Sequence, residues 1–316
     1  MRILFVGSGA FALPTLEWLM AGDHEIAAVV TQPARPSGRG RRVVRTPVGA
    51  VAQDAGLHVI SPENVNDPSV IDELRSFQAV VAVTIAFGQL LRPPVLAALP
   101  GGFINLHASL LPKYRGAAPI NWAILCGEER TGVTVFRIDR RMDAGPILTS
   151  RWTLIKPEET ASELHDRLAA IGVDAVRAAL LLFEGGADPP GHPQDDTAAT
   201  RAPKLSKADG AVDFSRPAGE VACRIRGLWS WPAASARFEA SDGRWENVQL
   251  ARARVAETDE VPDIPAGKLD DRLYVAAGGG FVELLEIKPA SGKVMTWREY
   301  VNGRHVRAGD RLAPPD

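Results

Sequence analysis

Residues 2–12 read RILFVGSGAFA, a short apolar run that ends in a glycine turn. Leucines recur at helical spacing over residues 13–19, so this stretch predicts a strand, a tight turn and a helix. Three further continuous apolar runs follow, at 25–30, 79–83 and 102–106. Strands that are buried on both faces lack the alternation of a half-exposed strand. We therefore predict an α/β fold, with a mostly parallel sheet covered by helices on both faces.

Later segments predict two further strands at one edge of this sheet, followed by a second domain. Residues 131–138 and 146–155 alternate more and predict strands, and a long amphipathic helix follows from Thr160 or Ser162. Proline and polar residues then dominate 189–206, which indicates a linker. The predicted organisation is a catalytic domain at 1–188, the linker at 189–206 and a small β-barrel at 207–316 with one helix near 217–227.

Composition excludes several classes of protein. The chain has 316 residues and a formal charge of -2, so any nucleic-acid contact must come from a local basic patch. Two cysteines far apart in sequence form no disulfide framework, which favours the cytoplasm. No apolar stretch is long enough to span a membrane. The histidine and cysteine spacings match no zinc motif, so we expect no metal.

The glycine turn at 7–12, GSGAFA, matches the GxGxxA pattern that holds a phosphate at a helix N-terminus. A dinucleotide site also needs an acid near the end of the second strand, where Thr31 and Gln32 stand instead. NAD is therefore disfavoured, whereas Arg35 could accept a 2′-phosphate and keeps an NADP-dependent oxidoreductase as an alternative. The simpler interpretation is that the glycines only allow a tight turn.

Polar residues occupy the end of the strand near 102–106. Asn105 and His107 are two apart, so both project to one face of an extended strand, at an edge where α/β sheets bind ligands. Asp143 follows a later strand and would orient the imidazole if the sheet brings the two together. Ser109 lacks the GxSxG context of a nucleophile. This trio without a nucleophile suits direct acyl transfer to an amine, with Asn105 and His107 stabilising the oxyanion and Asp143 collecting the amine proton.

Basic residues cluster in two places. The loop RPSGRGRRVVR at 35–45 contains no acid and is suited to contacting phosphates, although a solvated loop is equally consistent with it. A second patch in the linker could continue such a phosphate track. The candidate residues are Arg35, Arg39, Arg41, Arg42, Arg45, Lys204 and Lys207.

The segments INLHASLLPKYRGAAPI at 104–120 and TGVTVFRIDRRMDAGPI at 131–147 resemble the folate-dependent formyltransferases. The resemblance extends over nearly the whole chain, through RAPKLSKADGAVDF at 201–214, WPAASARF at 231–238 and EIKPASGKVMTWREYVNGRHVRAGDRL at 286–312. It implies a Rossmann-like catalytic domain, an oligonucleotide-binding-like barrel that binds tRNA, and 10-formyltetrahydrofolate as the formyl donor. It also implies that the glycine turn binds no dinucleotide.

The same resemblance assigns residues. It implies that Asn105, His107 and Asp143 are the catalytic trio and that the loop at 35–45 enters the acceptor stem of a tRNA. The residues that it implies for the folate site are Phe87, Gly88, Ser109, Leu110, Leu111 and Pro112.

Within this family the chain is most similar to members that formylate the α-amino group of methionine on initiator tRNA, for translation initiation. We expect that activity, in a cytoplasmic monomer that binds no membrane. Asn121-Trp122 instead resembles relatives that formylate an amino-sugar nucleotide, which is the first alternative. A noncatalytic tRNA-binding module is a further alternative, and it predicts RNA binding without turnover.

Overall fold

The computed structural model describes residues 1–37, 42–186 and 188–315. The strands are β1 (Arg2–Gly7), β2 (Glu25–Val30), β3 (Arg35–Ser37), β4 (Arg42–Val44), β5 (Val59–Ile60), β6 (Val81–Ile85), β7 (Phe103–His107), β8 (Arg115–Gly116), β9 (Arg130–Arg137), β10 (Ile147–Leu154), β11 (Arg201–Ala202), β12 (Ala234–Glu239), β13 (Trp245–Val255), β14 (Val275–Ala277), β15 (Gly280–Pro289), β16 (Met295–Thr296) and β17 (Arg311–Ala313). The α-helices are α1 (Leu13–Ala21), α2 (Pro47–Asp54), α3 (Pro68–Ser76), α4 (Pro93–Leu96), α5 (Pro119–Leu125), α6 (Ala161–Leu181), α7 (Ala218–Leu228) and α8 (Trp297–Arg304). None of the helices in these ranges combines the length and apolar character needed to cross a membrane.

The large sheet has seven strands in the order β10-β9-β7-β6-β1-β2-β5. Strands β5, β2, β1, β6 and β7 pair in parallel, and β9 is antiparallel to β7. The predicted mostly parallel sheet is thus confirmed, with its antiparallel strands at one edge. Chain order reverses between β1 and β6, and such a reversal opens a crevice at the carboxyl ends of the strands.

The core of this sheet follows from its apolar strands. Residues 3–7 of β1 and all of β6 are buried, because helices cover both faces. Leu4, Val6 and Phe103 belong to one apolar cluster on one face. On the opposite face, α6 approaches the sheet closely at Gly172, where a Cβ atom would overlap the side chain of Leu106. The central strands are therefore held rigidly, and their carboxyl ends have fixed positions.

The C-terminal strands form a separate sheet in the order β14-β15-β13-β12-β17, with β16 paired to β15. Isolated bridges from Lys268 to Arg311 and from Leu269 to Val275 join its two edges, so the sheet curls into a nearly closed antiparallel barrel. Its interior is packed by α7 and α8, for example through Ile225 and Tyr300. The predicted barrel is confirmed, but it carries a second helix, α8, beside the one predicted near 217–227.

Contacts divide the described chain into two compact units. Unit 1 comprises Met1–Gly116, Gly132–Thr153 and His165–Arg201 and contains the large sheet. Unit 2 comprises Ala117–Thr131, Leu154–Leu164 and Ala202–Asp316 and contains the barrel. Two inner segments, Ala117–Thr131 and Leu154–Leu164, group with the barrel. The division into domains at 1–188 and 207–316 with a linker at 189–206 stays a prediction.

Candidate active site

Strand β7 delivers two polar side chains to the carboxyl edge of the sheet. Asn105 pairs with Phe136 and His107 with Thr134 on β9, so the two lie on the same face of the strand. The intervening Leu106 faces α6. The apolar alternation of the strand thus fixes the direction of both polar side chains.

His107 is buried, with 6% of its surface exposed. Its Nε2 atom lies 2.9 Å from the carbonyl oxygen of Tyr114. Because a carbonyl oxygen can only accept, Nε2 carries the hydrogen. The other ring nitrogen, Nδ1, lies 3.8 Å from Oδ2 of Asp143, a distance too long for a hydrogen bond but within the range of an ion pair. Nδ1 therefore makes no hydrogen bond to Asp143 and can contact a ligand, while the carboxylate of Asp143 stays beside it.

Asp143 lies in the loop between β9 and β10, and its φ of 51° is in the left-handed region. The Gly116 N–H donates to its Oδ2 atom at 2.8 Å. Beside it, Gly145 packs so closely on the carbonyl oxygen of Arg137 that a Cβ atom would overlap it. The loop therefore brings the carboxylate of Asp143 to His107, although the two residues are far apart in sequence.

The side-chain amide of Asn105 has no hydrogen-bond partner within residues 1–37, 42–186 and 188–315. Thr84 pairs with Asn105 in the parallel register of β6 and β7, and its buried hydroxyl also lacks a partner among the described residues. Buried polar groups usually have partners. Asn105 is half-buried at the carboxyl end of β7, so its amide is available to a polar ligand, whereas the Thr84 hydroxyl is enclosed. Sequence reasoning did not identify Thr84; the available signal was a hydroxyl residue inside the apolar run at 79–85.

The residues predicted for the folate site have different environments. Ser109 is fully buried, and its hydroxyl donates to the carbonyl oxygen of Lys113 at 2.7 Å. Phe87 and Leu111 are buried as well, at 3% and 8% exposure. The members with surface open to a ligand are Gly88, Leu110 and Pro112. Their contacts with folate stay a prediction.

The Gly9 N–H and the Ser8 hydroxyl of the glycine turn make hydrogen bonds within unit 1. The Gly9 N–H donates to the carbonyl oxygen of Ala86 at 3.2 Å. The Ser8 hydroxyl donates to the Phe87 carbonyl oxygen at 3.2 Å and accepts from the Gln32 N–H at 3.0 Å. These groups hold the loops after β1, β2 and β6 together, so an oxidoreductase that binds NADP at this turn is not favoured.

The candidate RNA-contacting residues lie in both units. In unit 1, β3 and β4 pair as a hairpin in which Arg35 binds Glu63 at 3.0 Å and Arg45 binds Asp54 at 3.4 Å. Arg42 is exposed and has no partner among the described residues. In unit 2, Lys204 and Lys207 are exposed. The predicted Arg39 and Arg41 lie outside the described residues.

A glutamine that sequence reasoning assigned to the linker contacts the Asp143 loop. The amide nitrogen of Gln194 donates to the carbonyl oxygens of Asp143 and Gly145. The sequence did not indicate this role for Gln194. Proline and polar residues are typical both of a linker and of an extended segment packed on a surface, so the composition of 189–206 does not distinguish the two. Across the described ranges, no group of three or more histidine, cysteine or acidic side chains could hold a metal ion.

Comparison with known proteins covers both halves of the chain. The family model "Formyl transferase" matches residues 1–180, and "Formyl transferase, C-terminal domain" matches residues 204–305. A methionyl-tRNA formyltransferase of Solibacter usitatus is 42% identical over 314 residues, which is 99% of this chain and 98% of that protein.

Solved structures share the fold. An N-formyltransferase from Helicobacter canadensis, in complex with folinic acid and dTDP-3-aminofucose, has a TM-score of 0.67 at 15% identity and covers 90% of this chain and 98% of that one. HypX from Aquifex aeolicus, in complex with tetrahydrofolic acid, has a TM-score of 0.61 at 17% identity over 95% of this chain. The chain spans about half of HypX, 47% of its length. At these identities the structural likeness concerns the fold, whereas the two family models and the full-length relative define the family. The chain belongs to the formyl transferase family, with the methionyl-tRNA formyltransferases.

Proposed function

We propose that the protein transfers the formyl group of 10-formyltetrahydrofolate to the α-amino group of methionine on initiator tRNA. The observation that carries this proposal is the pairing of His107 with Asp143 on the strand that also carries Asn105, whose amide has no partner among the described residues. Ser109, the nearby hydroxyl residue considered as a nucleophile, is fully buried and hydrogen-bonded within its own loop. These features support direct transfer between donor and amine, without a covalent enzyme intermediate.

Asn105 and His107 would stabilise the negative charge that develops on the formyl oxygen during the transfer. As the amine nitrogen bonds to the formyl carbon, charge builds on the formyl oxygen. The Asn105 N–H and the Nδ1–H of a protonated His107 would stabilise that charge. The 3.8 Å separation of His107 from Asp143 leaves Nδ1 uncommitted to a direct hydrogen bond. Donors that are held before reaction need no reorganisation, and losing one such donor lowers the rate by roughly 10²–10³.

Asp143 would accept the proton that the attacking amine releases. The attacking amine must lose a proton as it forms the new bond, and a carboxylate near the imidazole can accept it directly or through one water. When the bond between the formyl carbon and N10 of the donor breaks, the same proton can pass to N10, which leaves as the amine of tetrahydrofolate. The hydrogen bond from the Gly116 N–H, at 2.8 Å, fixes Oδ2 in place for this task.

The residues at this edge fit the formyl donor, which supplies the one-carbon group. The Asn105 amide, which has no partner among the described residues, lies at the carboxyl end of β7 and suits the formyl group of this donor. Gly88, Leu110 and Pro112 offer accessible surface for the flat pterin ring, and the proposed folate site also includes Phe87, Ser109 and Leu111.

Binding of the RNA would depend on local charge, because the whole chain carries a formal charge of -2. Arg42, whose guanidinium has no partner in the part of the chain that the structure describes, and the exposed Lys204 and Lys207 are the candidates for phosphate contacts. Arg35 and Arg45 would first have to exchange their carboxylate partners for phosphate. We further propose that the protein acts as a cytoplasmic monomer.

A formylation assay tests the proposal. The purified protein is supplied with 10-formyltetrahydrofolate and one of three acceptors: methionyl initiator tRNA, the same tRNA uncharged, or an amino-sugar nucleotide. We expect formyl-methionine on the charged tRNA alone. Formylation of the sugar nucleotide without formylation of the charged tRNA would overturn the proposal. RNA binding without turnover of any acceptor would support the noncatalytic alternative.

A further inference from the structure

Hydrogen bonds hold the segment 188–201 to the rest of unit 1 on both sides of Gln194. His192 and Ile147 exchange two backbone hydrogen bonds of 2.8 Å at one side. At the other side, the Thr200 hydroxyl accepts from the Tyr114 N–H at 2.8 Å, directly beside the carbonyl oxygen that holds His107. Gln194 lies between these two anchors, so its backbone position is defined.

Both polar atoms of the Gln194 side chain form hydrogen bonds. Its Nε2 atom donates to the carbonyl oxygen of Asp143 at 2.9 Å and to that of Gly145 at 2.8 Å. Its Oε1 atom accepts from Nε and Nη2 of Arg115 at 3.1 and 2.8 Å. Carbonyl oxygens only accept and a guanidinium only donates, so these four contacts define the orientation of the amide.

Arg115 is itself held in place. Its Nη2 atom pairs with Asp196 at 2.8 Å, and Asp196 also pairs with Arg141 at 2.6 Å. The Arg115 and Arg141 guanidiniums lower the pKa of Asp196, so this carboxylate stays charged at neutral pH. Arg141 lies two residues before Asp143. The chain of contacts from Gln194 through Arg115 and Asp196 therefore ends on the loop that carries Asp143.

We propose that Gln194 is the positioning residue for Asp143. The backbone of Asp143 has a left-handed φ of 51°, a conformation that an aspartate adopts less readily than glycine. Gln194 holds the carbonyl groups on both sides of Ala144, and Gly116 holds the carboxylate. Together these contacts fix both ends of Asp143 relative to His107. This inference rests on the proposed function, because it assigns a role to Gln194 only through Asp143.

The most informative substitution is Gln194→Glu. Glutamate keeps the volume of the side chain and can still bind Arg115, so the segment stays attached. It lacks the two N–H donors, however, and its carboxylate oxygen would face the carbonyl oxygens of Asp143 and Gly145. The Asp143 loop should therefore shift while the rest of unit 1 stays folded.

We expect Gln194→Glu to lower kcat about 10- to 100-fold, since small displacements of a reacting group have effects of this size. The KM values for the folate donor and for the charged tRNA should change less than about twofold. In a background that already carries Asp143→Asn, Gln194→Glu should cause no further loss, because residues that act through one group are not additive. His192→Ala is the matched control: the His192 side chain is exposed and has no partner among the described residues, so its loss should leave kcat unchanged.

Three results would contradict the role of Gln194. These are an unchanged kcat in Gln194→Glu, a further loss in the Asp143→Asn background, or a fall in melting temperature that accounts for the lost activity. The wild-type protein in the same assay separates this inference from the proposed function. If the wild type formylates only an amino-sugar nucleotide, the proposed function fails, and the same double-mutant cycle with that acceptor still tests Gln194.

Discussion

Nδ1 of His107 and Oδ2 of Asp143 lie 3.8 Å apart, and each side chain is fixed by backbone of the loop that follows β7. The carbonyl oxygen of Tyr114 holds Nε2 of the histidine, and the N–H of Gly116 holds the carboxylate. The segment between β7 and β8 thus contacts both groups, and Gln194 holds the Asp143 loop from the other side. Nδ1 makes no hydrogen bond to the carboxylate at this distance and lies beside it.

Replacing either member of this pair should reduce chemistry more than binding. We expect Asp143→Asn and His107→Gln, which preserve size, to lower kcat by roughly 10²–10⁴. Affinity for tRNA should stay within about twofold of the wild type, because neither residue belongs to the exposed basic set. Single-turnover formylation and a filter-binding titration measure the two quantities separately. A variant with full kcat would refute the role assigned to the residue it changes.

Arg42 should contribute to RNA binding in a salt-dependent way. Its guanidinium is exposed and has no partner among the described residues, so it is available to a phosphate. Arg42→Ala should weaken binding of the charged tRNA and reduce the slope of log K against log[salt] by about one, with an unchanged KM for folate. Arg75→Ala, which removes a surface arginine paired with Asp72, is the control. Equal salt slopes for Arg42→Ala and wild type would remove Arg42 from the interface.

The stability of unit 2 should fall in acid partly through Glu163. A bidentate contact with Arg252, at 2.6 and 3.1 Å, lowers the pKa of the Glu163 carboxyl from 4.5 to about 2. Because the pKa is lower in the folded state, the unfolded chain takes up this proton first as the pH falls. The stabilisation is therefore complete above about pH 5 and is lost between about pH 5 and 2.

Urea unfolding of the wild type and of Glu163→Gln at pH 7, 5, 4 and 3 tests this dependence. The free energy of unfolding should fall more steeply with acid in the wild type than in Glu163→Gln. Glu17→Gln is the control, because Glu17 is exposed and has no cationic partner among the described residues. Parallel curves for the wild type and Glu163→Gln would show that the ion pair is not responsible.

Gly145→Ala should disrupt the Asp143 loop. A Cβ atom at this position would overlap the carbonyl oxygen of Arg137, so the loop must move. We expect a loss of about 1–3 kcal/mol or more in unfolding free energy, together with a large fall in kcat. By contrast, Gly219→Ala in α7 meets no atom within 4 Å and should stabilise the protein by about 0.5–1 kcal/mol. Thermal melts and formylation rates of both variants provide the comparison, and a stable, active Gly145→Ala protein would contradict it.

Regular elements with a strong local pattern were predictable from the sequence. The apolar strands of the parallel sheet and the stripe of α6 both follow from burial, which selects side chains at fixed periods. Helix α8 was missed because it is short and its residues are mainly polar. Its capping box at Thr296 and Glu299, which the structure contains, was the readable signal.

The sequence by itself determined the chemistry available to this protein: an amide and an imidazole two residues apart at a strand end, a carboxylate in a glycine turn, and a local excess of arginine. Tertiary structure decided which groups meet. It brought Asp143 to His107, aligned Thr84 with Asn105, and packed Gln194 against the carboxylate loop. The physical reason is that periodicity reports only whether a residue faces the core. Hydrogen bonds between distant segments depend on strand register and loop path, which no local pattern encodes.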